Sequence, residues 1–96
     1  MIAVLITPRG ERQEAIPRNG VAFTVRELQD MVDGYIDIVD IDDELVMVFD
    51  VDGNEKDKLF NKKATEILRK AHEGEPDFGD FVSGNAVVCK NHMIKP

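Results

Sequence analysis

Apolar residues in this 96-residue chain recur in two rhythms, and the switches between them delimit its elements. Residues 2–7 form an apolar run closed by Pro8 and Gly10, as expected of a strand buried on both faces. Residues 9–20 are polar and turn-rich, with at most a short strand at Glu14-Ala15-Ile16 before Pro17-Arg18-Asn19-Gly20. The period then lengthens. Thr24 stands three residues before Glu27, forming a capping box, and Phe23 is placed to staple onto Leu28. Val25, Leu28, Met31 and Val32 share one helical face and Gly34 supplies a stop, so the spacing predicts a helix over 24–33.

Two strands follow at 35–42 and 44–51, turned at Asp42-Asp43. The first does not alternate cleanly: Ile36 and Ile38 share one parity, Val39 and Ile41 the other. Either it is covered on both sides at one end, or a bulge near Ile38–Val39 switches its phase. The second, Leu45 to Phe49, is apolar on both parities, which marks a central strand. Asp52-Gly53 predicts a two-residue hairpin turn leading into a short strand at 55–59. Asn61 then caps a second helix carrying Ala64, Ile67, Leu68 and Ala71 on one face, ended by Gly74 and Pro76. A last strand, about 80–90, is interrupted by Ser83-Gly84-Asn85. The order β(β)αββ(β)αβ predicts a small single α+β domain over 1–96, with two helices against a mainly antiparallel sheet.

Charge changes this picture more than composition does. Apolar residues make up 43% and charged residues 32%, which fits one folded core rather than a disordered chain. The net charge of −7 argues against nonspecific nucleic-acid binding, which depends on neutralising phosphates. Between Glu27 and Asp52 every charged side chain is acidic, whereas Lys56, Lys58, Lys62 and Lys63 cluster around the start of the second helix. A single cysteine, Cys89, fits a reducing compartment. No signal peptide and no apolar run of membrane-spanning length is visible, so a cytoplasmic location is expected.

Catalytic and metal signatures are weak. Asp50-Val51-Asp52-Gly53-Asn54-Glu55 begins like a calcium loop but has Glu55 where that loop needs glycine and Asn61 where it needs a bidentate glutamate. His72, His92 and Cys89 lack partners at metal-ligand spacing, and Cys89 follows two valines as a small buried hydrophobe would. No cofactor or metal is expected. The lysine cluster and Asn61 can hold an anion such as a phosphate, or be ordinary surface. Gly84 predicts a bulge or a close approach by another group; Asn85 either caps a turn or points into a pocket.

The spaced elements Leu28-Gln29…Val32-Asp33-Gly34-Tyr35-Ile36-Asp37, Asp50-Val51-Asp52-Gly53, Asn61…Ala64-Thr65 and Gly84-Asn85-Ala86-Val87-Val88 resemble DUF3846, a family of small proteins of phages, plasmids and other bacterial mobile elements. The resemblance covers about residues 28–88. The usual pattern is similar to L-Q-x-x-V-G-G-Y-I-E; here Asp33 replaces the first glycine and Asp37 the glutamate. The family has no assigned activity, so the resemblance implies no catalytic residue. It implies an accessory gene acting inside a bacterial host, a setting in which small proteins often counteract host defence.

Two binding hypotheses follow, and an enzyme is not expected. In the first, the chain sequesters a nucleotide-like signalling ligand, as a homo-oligomer or alone, through Tyr35, Asn61, Lys62, Lys63, Thr65, Gly84 and Asn85. In the second, the acidic face, with Asp40, Asp42, Asp43 and Glu44, inhibits a basic host protein or imitates nucleic acid. Neither involves direct nucleic-acid or membrane binding.

Overall fold

A strand that is apolar on both parities needs cover on both faces, and the centre of this fold provides it. The computed structural model describes residues 3–75 and 81–94. Strands β1 (Ala3–Ile6), β2 (Arg12–Ala15), β3 (Ile36–Asp40), β4 (Leu45–Asp50) and β5 (Ala86–Lys90) form one sheet in the order β2-β1-β5-β4-β3. Every neighbouring pair is antiparallel. Helix α1 (Val25–Val32) lies between β2 and β3 in sequence, and α2 (Lys62–Ala71) between β4 and β5.

The two helices cover opposite faces. Val46 and Val48 of β4 join Ala3, Val87 and Cys89 under Phe23, Leu28 and Val32 of the α1 segment. The intervening Met47 and Phe49 join Ala86 and Val82 under Ala64 and Leu68 of α2. The fold is α+β, three layers deep, with β4 and β5 buried at its centre.

This arrangement resolves the irregular phase of β3. Its register with β4 runs unbroken from Ile36↔Asp50 to Asp40↔Val46, so there is no bulge. Ile36 packs on the α1 side, and Val39 and Ile41 on the α2 side. The strand is covered on both sides, at different points along its length, and Ile38 is left 43% exposed.

Local signals at α1 hold. Thr24 Oγ1 accepts from Glu27 N and Glu27 Oε1 accepts from Thr24 N, which completes the capping box. The stop differs from expectation. Asp33, not Gly34, is the left-handed residue that ends the helix, with φ 56° and ψ 56°. Gly34 is required for space: a Cβ there would lie 2.4 Å from Asp50 Oδ2. The expected hairpin turn at Asp52-Gly53 and the strand at 55–59 do not form. Residues 51–57 wind through successive turns, in which Lys56 N donates to Asp52 O and Lys58 N to Gly53 O. Gly53 is buried against the Ser83 carbonyl, where a Cβ would lie 2.7 Å away, so the chain folds inward rather than extending. Phe60 then pairs with Ser83 in a single bridge. Ile2, Pro76 and Asp80, at the edges of the first predicted strand, the second helix stop and the last predicted strand, lie outside the described residues; within them α2 ends at Ala71, before Gly74, and β5 begins only at Ala86. The unforeseen element is a 3-10 turn at Asn91–Met93, where Met93 O accepts from Phe23 N at 2.6 Å.

The backbone at 33–34 makes two predictions of opposite sign. A left-handed conformation costs a non-glycine residue about 1 kcal/mol, so Asp33→Gly is expected to stabilise the fold by roughly that amount. Gly34→Ala overpacks the Asp50 carboxylate and is expected to cost about 1–3 kcal/mol. Urea titration of the two variants checks both signs.

Candidate functional site

Asp50 ends β4 on the parity that faces α1, so a carboxylate enters the core at that point. Its side chain is fully buried and meets Lys58 Nζ at 2.7 Å and Lys56 Nζ at 2.9 Å, both on Oδ2. Oδ1 accepts from Asp52 N at 2.9 Å. Lys58 Nζ also donates to the carbonyls of Val32 at 2.8 Å and Asp33 at 2.6 Å, the open C-terminal end of α1. Asn85 Nδ2 donates to Met31 O nearby. Burial pushes the Asp50 carboxyl up, but the two ammonium groups together with the Asp52 amide more than offset this and hold its pKa below the ordinary aspartate value. The hydrogen bond to Asp50 in turn raises the pKa of Lys56. Half of the lysine cluster is therefore committed to an internal ion pair. In the segment that resembles a calcium loop, ammonium groups neutralise the first carboxylate.

Asn61 and Thr65 are likewise engaged inside. Asn61 is fully buried: Oδ1 accepts from Ala64 N at 3.0 Å, while Nδ2 donates to Ile6 O at 3.0 Å and Gly84 O at 2.9 Å. Thr65 Oγ1 accepts from Val82 N at 2.9 Å. These side chains hold the start of α2 against β1 and residues 82–84. Gly84, at φ +84°, lets Lys58 pass: a Cβ would lie 2.9 Å from its Cδ. Of the two sequence alternatives at this glycine, close approach is the one observed.

Lys62 and Lys63 remain open to solvent. With Pro8, Arg9, Gly10 and Glu66 they line a groove of about 370 Å³ between the β1–β2 turn and the first turn of α2. Neither these lysines nor Arg9 reaches a carboxylate at ion-pair distance among the described residues. A second groove, of about 250 Å³, shares Pro8 with the first and is lined by Leu59, Gly84, Asn85 and Lys58. The structure thus places Lys62, Lys63, Gly84 and Asn85 along adjoining grooves, with Asn61 and Thr65 buried as their support. Tyr35 stands apart, 71% exposed, in a groove with Arg26, Asp33 and Lys56. Sequence reasoning missed Arg9 and Leu59. The available signal for Arg9 was a cation in a Pro-Arg-Gly turn straight after a buried strand.

The acidic segment is a held loop. Asp42 Oδ1 accepts from Glu44 N and Leu45 N, both at 2.8 Å, and these donors lower its pKa. Asn91 donates to the carbonyls of Asp43 and Glu44, and Lys90 pairs with Glu44 at 2.9 Å. His72 Nε2 bonds the Asp40 carbonyl at 2.8 Å. The carboxylates of Asp40 and Asp43 stay exposed. Cys89 is buried, and burial pushes its thiol up to about 11, so it is no thiolate at neutral pH. Among the described residues no group of three His, Cys, Asp or Glu side chains is placed to hold a metal ion, and no helix is long and apolar enough to cross a membrane.

The profile of the family described as "Domain of unknown function (DUF3846)" matches residues 1–93, so the chain belongs to that family over almost its whole length. No curated protein and no solved structure matches it.

The buried ion pair sets an acid limit. Because the folded Asp50 pKa is lowered, its stabilisation is present above the unfolded value of about 3.9 and is lost as pH falls through the folded value. Acid unfolding below about pH 4 is expected to be shallower in Asp50→Asn; the slope that persists comes from Glu27 and Asp42, whose backbone donors, Arg18 N and Glu44 N foremost, also lower their pKa. At neutral pH, Asp50→Ala leaves Lys58 without its counter-ion and is expected to cost about 3–5 kcal/mol, measured by chemical denaturation.

Proposed function

We propose that this protein is a non-catalytic binding protein that takes a phosphate-bearing, nucleotide-like ligand in the groove between the β1–β2 turn and α2, and so withdraws a signal from host defence. One observation carries this reading. Arg9, Lys62 and Lys63 rim the groove without carboxylate partners among the described residues, in a chain whose net charge is −7. Three cations against the single lining carboxylate of Glu66 form a local positive field, on an otherwise acidic domain, suited to an anion. The start of α2 adds the positive end of its dipole. The adjoining groove at Leu59, Gly84 and Asn85 gives an apolar wall and a close backbone for a base or sugar. The defence setting rests on the mobile-element context of the family.

Calorimetry of the purified protein against cyclic and linear nucleotides tests this reading. A charge-assisted contact is worth about 1.5–3 kcal/mol, so Lys62→Glu and Lys63→Glu are each expected to weaken binding about tenfold or more. The absence of heat with every nucleotide would sink the proposal, and a ligand returned chemically altered would turn it toward catalysis.

The rigidity of the acidic loop favours a second reading, in which Asp40, Asp42, Asp43 and Glu44 dock a basic host protein. Three carbonyls of that loop accept from Asn91 and His72, and the amides of Glu44 and Leu45 donate to Asp42, so its exposed carboxylates are presented in a fixed array. Strong salt dependence of capture, abolished by Asp40→Asn/Asp43→Asn, would distinguish it from nucleotide binding.

A further inference from the structure

The two outer strands of the sheet finish their edges differently. Val51 N donates to Tyr35 O and Ile41 N to Leu45 O, so the odd-numbered residues of β3 bond inward and Ile36, Ile38 and Asp40 turn their backbone groups outward. Two of those outward groups are already used. Asp37 Oδ1 accepts from Ile38 N at 2.9 Å, and the Asp40 carbonyl accepts from His72 Nε2. The β3 edge is blunted by Asp37 of the strand itself and by His72 at the end of α2, as edge strands commonly are.

The β2 edge is open. Thr7 N donates to Glu11 O, so Gln13 and Ala15 bond toward β1 while Arg12 and Glu14 direct N–H and C=O away from the sheet. None of these four backbone groups has a partner among the described residues. Their side chains carry opposite charges two positions apart and emerge on the same face, over Ile6 and Val4. Both are exposed, and neither forms an ion pair among the described residues.

That pattern is complementary to itself. A second β2 laid antiparallel with the two-fold axis at Gln13 sets Arg12 opposite the partner's Glu14, and Glu14 opposite the partner's Arg12. Both positions are then hydrogen-bonding pairs. Axes at Arg12 or at Glu14 also satisfy the backbone, but they set two arginines or two glutamates face to face, which is destabilising. Charge therefore selects one register. The same register brings Ile16, 68% exposed, opposite the partner's Gly10.

We propose that β2 is the seam of an isologous homodimer, in which two five-stranded sheets join into one continuous sheet through reciprocal Arg12–Glu14 pairs. The seam does not depend on what the groove binds, because Arg9, Lys62 and Lys63 take no part in it.

Sedimentation velocity over a wide concentration series tests the seam, with far-UV circular dichroism confirming that each variant is folded. Wild type is expected to dimerise reversibly. Arg12→Glu alone and Glu14→Arg alone set like charges opposite each other and are expected to be monomers. The double swap Arg12→Glu/Glu14→Arg restores both pairs, as does an equimolar mixture of the two single variants, and each is expected to recover the dimer. Wild type that stays monomeric throughout, single variants that dimerise as wild type does, or failure of both the double swap and the mixture to recover association would each overturn the proposal.

Discussion

The contact on which this fold most depends is the buried carboxylate of Asp50 with the ammonium group of Lys58. A charge that enters a core must be matched there, because desolvation alone would expel it. Here the match also fixes architecture. Lys58 bonds the end of β4 and the last carbonyls of α1 at once, so one side chain joins the central strand, the helix on one face and the turn that leads to the other helix. Gly34 and Gly84 are shaped around this contact, one beneath the carboxylate and one beside the lysine stem. The winding of residues 51–57 follows as well, because the chain must double back to return two lysines to the aspartate it has just left.

That constraint explains which features were legible in the sequence. The capping box at Thr24 and Glu27, the Asn61 cap and the apolar rhythm of both helices depend on neighbours within four residues, and each was readable. So was the central role of β4, since Val46 to Phe49 allow no solvent face. The winding turn after Asp50 was not readable, because Asp52-Gly53 is locally a good hairpin signal and is overruled by Ser83 and Lys58 from outside the window. The role of Gly34 was misread for the same reason: Asp50 lies far along the chain, and the left-handed stop falls to Asp33. The glycine of the usual family pattern at that position suits the conformation better than the aspartate found here.

The candidate site shows the same division. Four clustered lysines pointed to an anion site, but composition could not separate the two consumed by Asp50 from the two that face solvent. Asn61 was recognised as a cap through its oxygen, while the partners of its amide, Ile6 and Gly84, were invisible. Arg9 joins Lys62 and Lys63 only because the β1–β2 turn folds over the first turn of α2. A surface that is acidic on one loop and basic across one groove emerges from the fold, and no single stretch of sequence contains it.

The Asn61 amide has a consequence for how the molecule assembles. Its two acceptors lie 55 and 23 residues away along the chain, while its oxygen caps the helix that it begins. Before the first and last strands meet, that amide has no carbonyl to bond and its burial is unfavourable. The second helix can flicker earlier, but it becomes persistent only when the sheet closes. Such a contact raises contact order, and it makes loss of the N-terminal strand and fraying of a distant helix a single cooperative event.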